Sequence, residues 1–285
     1  MRRILILVAL SLFLCSTASA FQGGGGESTK KGSSKKAVAK KKTSGTTSNN
    51  TTSPTIYDGG TVKTFRAPSK DVPHGMAFVG DDLWVAQGKK LWKLDGKGGV
   101  ISEWGLPGLI TDLASDGKLL YALEYGWTTG EPIYVIDPAK PWEQGRTIIT
   151  EANRKNRYHS AYGVACRDGK LYVLDSSTGW IHVVNPADGT IERTIETGEK
   201  WISGLGFDGK HLVTSGSAKE LLFLDADTGK AVRRVPVNSP LRVVEPHGGR
   251  LYLMEGAVIS YDVNNKPIAV WPKDMMIYIV RLPVE

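Results

Sequence analysis

Glu124, Asp175 and Glu255 each close a short apolar run, Leu120-Tyr121-Ala122-Leu123, Leu171-Tyr172-Val173-Leu174 and Leu251-Tyr252-Leu253-Met254, and each run follows a glycine-bearing turn. Carboxylates that recur at one place in a repeated element can converge on an axis, where hard cations such as calcium or magnesium find oxygen ligands. Gln87 and Ser215 hold the same place in two further copies, and a second recurring set, His74, Asp112, Tyr162, Ser203 and Arg242, stands where each copy begins. Together the two sets describe a polar ring suited to a small molecule, a peptide or a surface polymer, although strand ends facing water would read the same way. If the chain is instead an enzyme of the kind the second resemblance below implies, Glu124 and Glu245 are the candidates for general acid or base. The five histidines lack metal-ligand spacing. No Ser-His-Asp order, phosphate loop or paired-cysteine motif accompanies them.

These residues are placed by a repeat. With Gly75, Asp112, Gly163, Gly204 and Val243 taken as equivalent, successive copies are 37, 51, 41 and 39 residues apart, a period that suits four short strands and their turns. Each copy reads as a small-residue inner strand, a tight turn such as Asp168-Gly169, an alternating apolar strand, a third strand and an outer strand. The third strands are expected at Leu91-Trp92-Lys93-Leu94, Ile133-Tyr134-Val135-Ile136, Ile181-His182-Val183-Val184, Leu222-Phe223-Leu224-Asp225 and Val258-Ile259-Ser260-Tyr261. The fold class is therefore all-β, a β-propeller of five four-stranded blades, with six as the alternative if the two chain ends make a blade of their own. Thr61-Val62-Lys63-Thr64-Phe65 and Ile277-Tyr278-Ile279-Val280 are expected to share a blade and close the ring. The second copy carries an insertion, residues 151–159, whose Arg154, Lys155, Arg157, Tyr158 and His159 would give a loop over the channel cationic and aromatic reach towards an acidic ligand. The eight tryptophans are expected mainly to pack between sheets. Trp127 and Trp201, near strand ends, are the ones placed to stack on a ligand.

The ends bound the remaining possibilities. Arg2 and Arg3, the apolar residues 4–14 and Ala18-Ser19-Ala20 have the pattern of a secretory leader at residues 1–20, cleaved after Ala20. Cys15 invites lipoprotein processing, against which stands the bulk of Leu14. Residues 21–55 are rich in Lys, Gly, Ser and Thr and read as a tether, and residues 56–285 as the propeller. The tether's seven lysines against Glu27, with Arg2 and Arg3, account for more than the whole formal charge of +7. The folded part is thus near neutral and no nucleic acid is expected on it, while the tether suits an anionic surface. An exported protein, secreted or periplasmic, is expected, with no further stretch long and apolar enough to span a bilayer as a helix. Cys166 reads as a small buried hydrophobe.

Two resemblances follow from particular residues. Pro73-His74-Gly75-Met76-Ala77-Phe78 through Leu83-Trp84-Val85, with Ile101-Ser102-Glu103-Trp104-Gly105-Leu106-Pro107 after it, resembles one blade of the streptogramin lyases, which implies histidine and glutamate acting with magnesium. Gly204-Leu205, Asp208-Gly209-Lys210, Leu212, Ser215-Gly216, Phe223-Leu224-Asp225 and Thr228 resemble the five-bladed secreted glutaminyl cyclotransferases, which implies five blades and closure of an N-terminal glutamine. Ser203 before Gly204 and Arg242-Val243 depart from that family's glutamate-bearing motifs, so the resemblance implies the fold more than the catalyst.

Overall fold

The computed structural model describes residues 60–125, 132–143, 145–150, 161–261 and 267–282. Its first strand, β1 (Thr61–Arg66), precedes the first complete blade, β2 (Pro73–Val79), β3 (Asp82–Gln87), β4 (Lys90–Leu94) and β5 (Val100–Gly105). The second blade is β6 (Ile110–Ser115), β7 (Leu120–Glu124), β8 (Ile133–Ile136) and β9 (Thr147–Ile148). The third is β10 (Ala161–Arg167), β11 (Lys170–Asp175), β12 (Trp180–Val184) and β13 (Ile191–Glu196). The fourth is β14 (Ser203–Phe207), β15 (His211–Gly216), β16 (Glu220–Asp225) and β17 (Ala231–Pro236). The fifth begins with β18 (Leu241–His247) and β19 (Arg250–Glu255); β20 (Val258–Tyr261) and β21 (Pro267–Val270) then form a two-stranded sheet of their own. The last strand, β22 (Met276–Arg281), returns to β19 and pairs on its other side with β1, giving the order β18-β19-β22-β1.

The two chain ends therefore share the fifth blade, as expected, with Phe65 opposite Ile277 and Thr64 opposite Tyr278. One expectation is corrected. The third strand of that blade is β22 and not Val258–Tyr261. Both segments are short and apolar, but Ile277, Tyr278, Ile279 and Val280 are buried in succession, as a strand covered on both faces and both edges must be.

Alternation along each strand builds the core. Leu83 and Val85 face the fifth blade, where they meet Val243, Met254 and Ile277, whereas Trp84 and Ala86 face the second and meet Leu113, Leu120 and Ile136. The remaining three interfaces are filled in the same way, so the apolar interior is five wedges, one between each pair of neighbouring blades. Closure of the ring is what leaves no wedge open. Trp84 and Trp92 pack inside these wedges as anticipated, with Trp104 stacked 5.3 Å from Trp84. Asp168 and Gly169 both take positive φ, 51° and 70°, the tight hairpin turn that their sequence requires.

Candidate functional site

Every inner strand carries the same irregularity. Its pairing with the second strand slips by one residue near the start, leaving His74, Thr111, Tyr162, Gly204 and Arg242 without a register partner. A bulge of this kind bends a strand and re-aims the extra residue, and here it recurs at one level around the axis. Three of the expected ring residues, His74, Tyr162 and Arg242, occupy it. Asp112 and Ser203 are displaced by one position. Thr111 holds the bulge of the second blade, its hydroxyl donating to the Leu123 carbonyl at 3.2 Å. Gly204 holds that of the fourth, while Ser203 pairs with Ser215, their hydroxyl oxygens 3.1 Å apart. Counting from Gly204 as though it matched Gly75 and Gly163 misplaces this copy, because its true match is Leu205.

The displaced Asp112 has the larger role. A side chain on Gly75 would lie 2.2 Å from the Leu113 nitrogen, so the inner strands of the first two blades meet backbone to backbone. From there the buried Asp112 carboxylate accepts the Leu113 amide on Oδ1 at 2.9 Å, and the Val164 and Leu205 amides on Oδ2 at 3.0 and 3.1 Å. Inner strands are sheet edges whose amides have no neighbouring strand to pair with, and Asp112 satisfies those of three blades. Glu245 on β18 accepts the Phe78 amide of the first blade and feels the charge of Asp112. Burial pushes both carboxyl groups up. On Asp112 three amides and Arg242 oppose that push; on Glu245 one amide opposes it and the charge of Asp112 adds to it. The charged form of Glu245 therefore has the weaker support.

Arg242 crosses the channel mouth. Its Nε donates to the Pro73 carbonyl of the first blade at 3.1 Å, and its guanidinium lies 5.0 Å from the centre of the Tyr162 ring in the third. The fourth blade lies between and offers glycine at its bulge: a Cβ on Gly204, which has φ 65°, would stand 2.7 Å from the Arg242 carbonyl. Tyr125 tilts against Tyr162, ring centres 5.9 Å apart. Beside them His74 is buried, its Nδ1 has no hydrogen-bond partner, and burial and then the charge of Arg242 push its pKa down to about 3. It is a neutral ring at any ordinary pH. Trp201, on the loop leading into β14, has its amide bonded to the Ser176 carbonyl at 2.7 Å, φ of 59° and an indole 45% exposed.

The second set, Gln87, Glu124, Asp175, Ser215 and Glu255, is equivalent in register as the sequence indicated, since its members face Pro73, Ile110, Ala161, Ser203 and Leu241. Glu124, Asp175 and Glu255, the carboxylates expected to converge on a cation, are each hydrogen-bonded within their own blade. Tyr134 donates to Glu124 at 2.6 Å and Tyr278 to Glu255 at 2.9 Å, both tyrosines lying on third strands. Asp175 accepts the amide and hydroxyl of Ser177 at 2.9 and 2.7 Å, and Gln87 ties down Ser69 and Asp71. Their polar atoms serve their own blades, and among the described residues no three His, Cys, Asp or Glu side chains are grouped to hold calcium or magnesium. Ser215 donates to the Leu241 carbonyl at 2.9 Å. Arg154, Lys155, Arg157, Tyr158, His159 and Trp127, like the leader and tether, lie outside the described residues. Cys166 is half-buried against the second wedge, and burial pushes its thiol up to about 11, which suits packing. The sequence missed Thr111, Gly204 and Tyr125; the one-residue bulge that selects the first two leaves no mark in composition.

No family model and no curated protein sequence matches the chain. Among solved structures, the glutaminyl cyclase of Myxococcus xanthus superposes with a TM-score of 0.59 at 16% identity, over 77% of this chain and 94% of that one. The PQQ-bound aldose sugar dehydrogenase of Streptomyces coelicolor gives 0.46 at 14% identity, over 78% and 97%. The hydrazine synthase of Kuenenia stuttgartiensis gives 0.43 at 18% identity, over 70% and 59%. The first likeness shows the shared propeller fold.

Proposed function

We propose that this chain is an exported β-propeller that binds a small ligand, a peptide or a surface polymer at the mouth of its channel, with the lysine-rich tether holding it near an anionic surface. The observation that carries this reading is Arg242, a cation suspended across the axis by the first and third blades. The carboxylate that feels its charge, Asp112, spends its oxygens on three backbone amides. A mouth lined by Tyr162, Tyr125 and a neutral His74 around one guanidinium has the mixture of flat apolar surface and few directed polar groups that marks a binding site. A ligand that prefers the native state raises its melting temperature. A thermal-shift screen of the full chain against small acids, N-terminal-glutamine peptides and wall-derived oligosaccharides is expected to give shifts that Arg242→Met removes. Shifts that persist unchanged in Arg242→Met and in Tyr162→Ala would place binding elsewhere.

A second reading, an acid/base enzyme, is favoured by one observation: burial and the neighbouring Asp112 push the Glu245 carboxyl well above its ordinary value, as a general acid requires. Release of ammonia from an N-terminal-glutamine peptide, lost in Glu245→Gln, supports it; no release by the native chain removes it.

A further inference from the structure

We propose that the channel mouth selects a ligand presenting a single carboxylate beside a flat ring, with Arg242 taking the carboxylate and Trp201 the ring. The proposal rests on the reading of the mouth as a binding site and adds the ligand's chemistry to it. Arg242 has five N–H donors, and its one hydrogen bond among the described residues is from Nε to Pro73. A guanidinium anchored at Nε is fixed in orientation and keeps the end-on pair of Nη groups, the fork that matches the two oxygens of a carboxylate. The Tyr162 ring, 5.0 Å from the guanidinium, adds a cation–π contact to that anchor.

The charge balance narrows the anion. His74 carries no charge, and the buried Asp112 has its oxygens on three backbone amides, so neither adds a positive charge beside Arg242. The planar fork offers a ligand one positive charge, which a carboxylate matches and a phosphate dianion exceeds. The ring requirement comes from Trp201. It is three residues from Gly204, whose backbone abuts the carbonyl of Arg242, so its backbone lies roughly 10 Å or less from the guanidinium's strand by chain reach alone. It is on the same face, since the loop between β13 and β14 opens at the end where every inner strand begins. Its backbone is in the left-handed region that a bulky residue avoids, held there by the amide bond to Ser176, and the result is an indole left in solvent. A strained backbone that leaves an aromatic face in solvent at this end of the propeller is a cost to folding that a ligand ring can use.

Two sources share this chemistry, a hexuronic sugar and an aromatic acid. The test is calorimetric titration of the full chain with methyl galacturonoside and its methyl ester, with indole-3-acetate and its amide, and with inorganic phosphate. At least one acid is expected to bind about tenfold or more tightly than its neutral partner, and the acid that does so identifies the source. Arg242→Met should erase the preference and Arg242→Lys should keep part of it, because charge remains without the fork. Trp201→Ala should weaken acid and neutral partner alike. Circular dichroism melts confirm that each variant is folded. Equal binding of acids and neutral partners overturns the inference while leaving the mouth as the site. Phosphate binding as tight as either acid, or no binding of either acid at millimolar concentration, also overturns it. Binding with an intact preference in Arg242→Met would sink the channel-mouth reading as well.

Discussion

The two ends of the propeller use the same interaction for different purposes. At the end away from the channel mouth, an aspartate folds over its own turn in blade after blade. Asp95 accepts the Lys97 and Gly99 amides, both at 2.7 Å; Asp116 accepts Lys118 and Leu119 at 2.8 and 2.7 Å; Asp208 accepts Lys210 and His211 at 2.8 and 2.6 Å. These bonds span two to four residues and repeat because each turn poses the same problem, amides left over when a hairpin reverses. On the axis, Asp112 also accepts backbone amides, but two of them lie 52 and 93 residues away. No other copy repeats it: Gly75 and Gly163 stand at its position in the neighbouring blades. Repetition builds the frame, and the places that differ from copy to copy, Asp112 where its neighbours have glycine and Arg242 at the fifth bulge, join distant blades and form the mouth.

This contrast can be broken by substitution. Asp112→Leu leaves amides of three blades buried and unpaired, and should cost about 4 kcal/mol, measured by urea denaturation. A cost below about 1 kcal/mol would show that the axis is wet enough to satisfy them. Gly204→Val should cost about 2–3 kcal/mol from backbone strain alone, and it should also disturb the Arg242 span, reported by altered fluorescence of Trp201. Asp208→Ala, at the opposite end, should cost only about 1 kcal/mol because one local turn loses its acceptor. Asp227, which meets Arg167 and Arg193 at 3.2 and 3.1 Å on the exposed rim, should contribute less than about 0.5 kcal/mol when replaced by Ala.

The pH dependence sharpens the same comparison. Glu245 titrates above its ordinary 4.5 in the folded chain. The native state therefore binds its proton more tightly than the unfolded state does, and the stabilisation, complete below 4.5, is lost as pH rises through the raised folded value. His74 acts in the opposite sense: its pKa falls from 6.5 to about 3, so its contribution is complete above 6.5 and is lost as pH falls towards 3. Melting temperature followed across pH should decline less steeply above 4.5 in Glu245→Gln than in the native chain. Parallel profiles would mean that Glu245 is ionised throughout.

Much of the frame was legible because it is repeated. The Asp-Gly turns, the apolar alternation and the shared closing blade each follow from local pattern, and the five wedges follow once both faces of every strand must be covered. Two features escaped for physical reasons. Val258-Ile259-Ser260-Tyr261 and Ile277-Tyr278-Ile279-Val280 are equally good strands, and only partnership with β1 and β19 decides between them. The bulge adds one residue to each inner strand without a composition of its own, so counting by glycines aligns Gly204 with Gly75 and Gly163 and hides its place at the bulge. The carboxylates of Glu124 and Glu255 were correctly equated, yet the alternation that equates them does not say that Tyr134 and Tyr278 wait on the third strands to receive them.

The most direct test of the central claim, that the irregular end is the functional one, is side-by-side titration of the native full chain, Arg242→Met and Asp208→Ala with whichever compound gives the largest thermal shift. Arg242→Met is expected to lose binding while Asp208→Ala binds as the native chain does. Undiminished binding by Arg242→Met, or its loss in a folded Asp208→Ala, would contradict it.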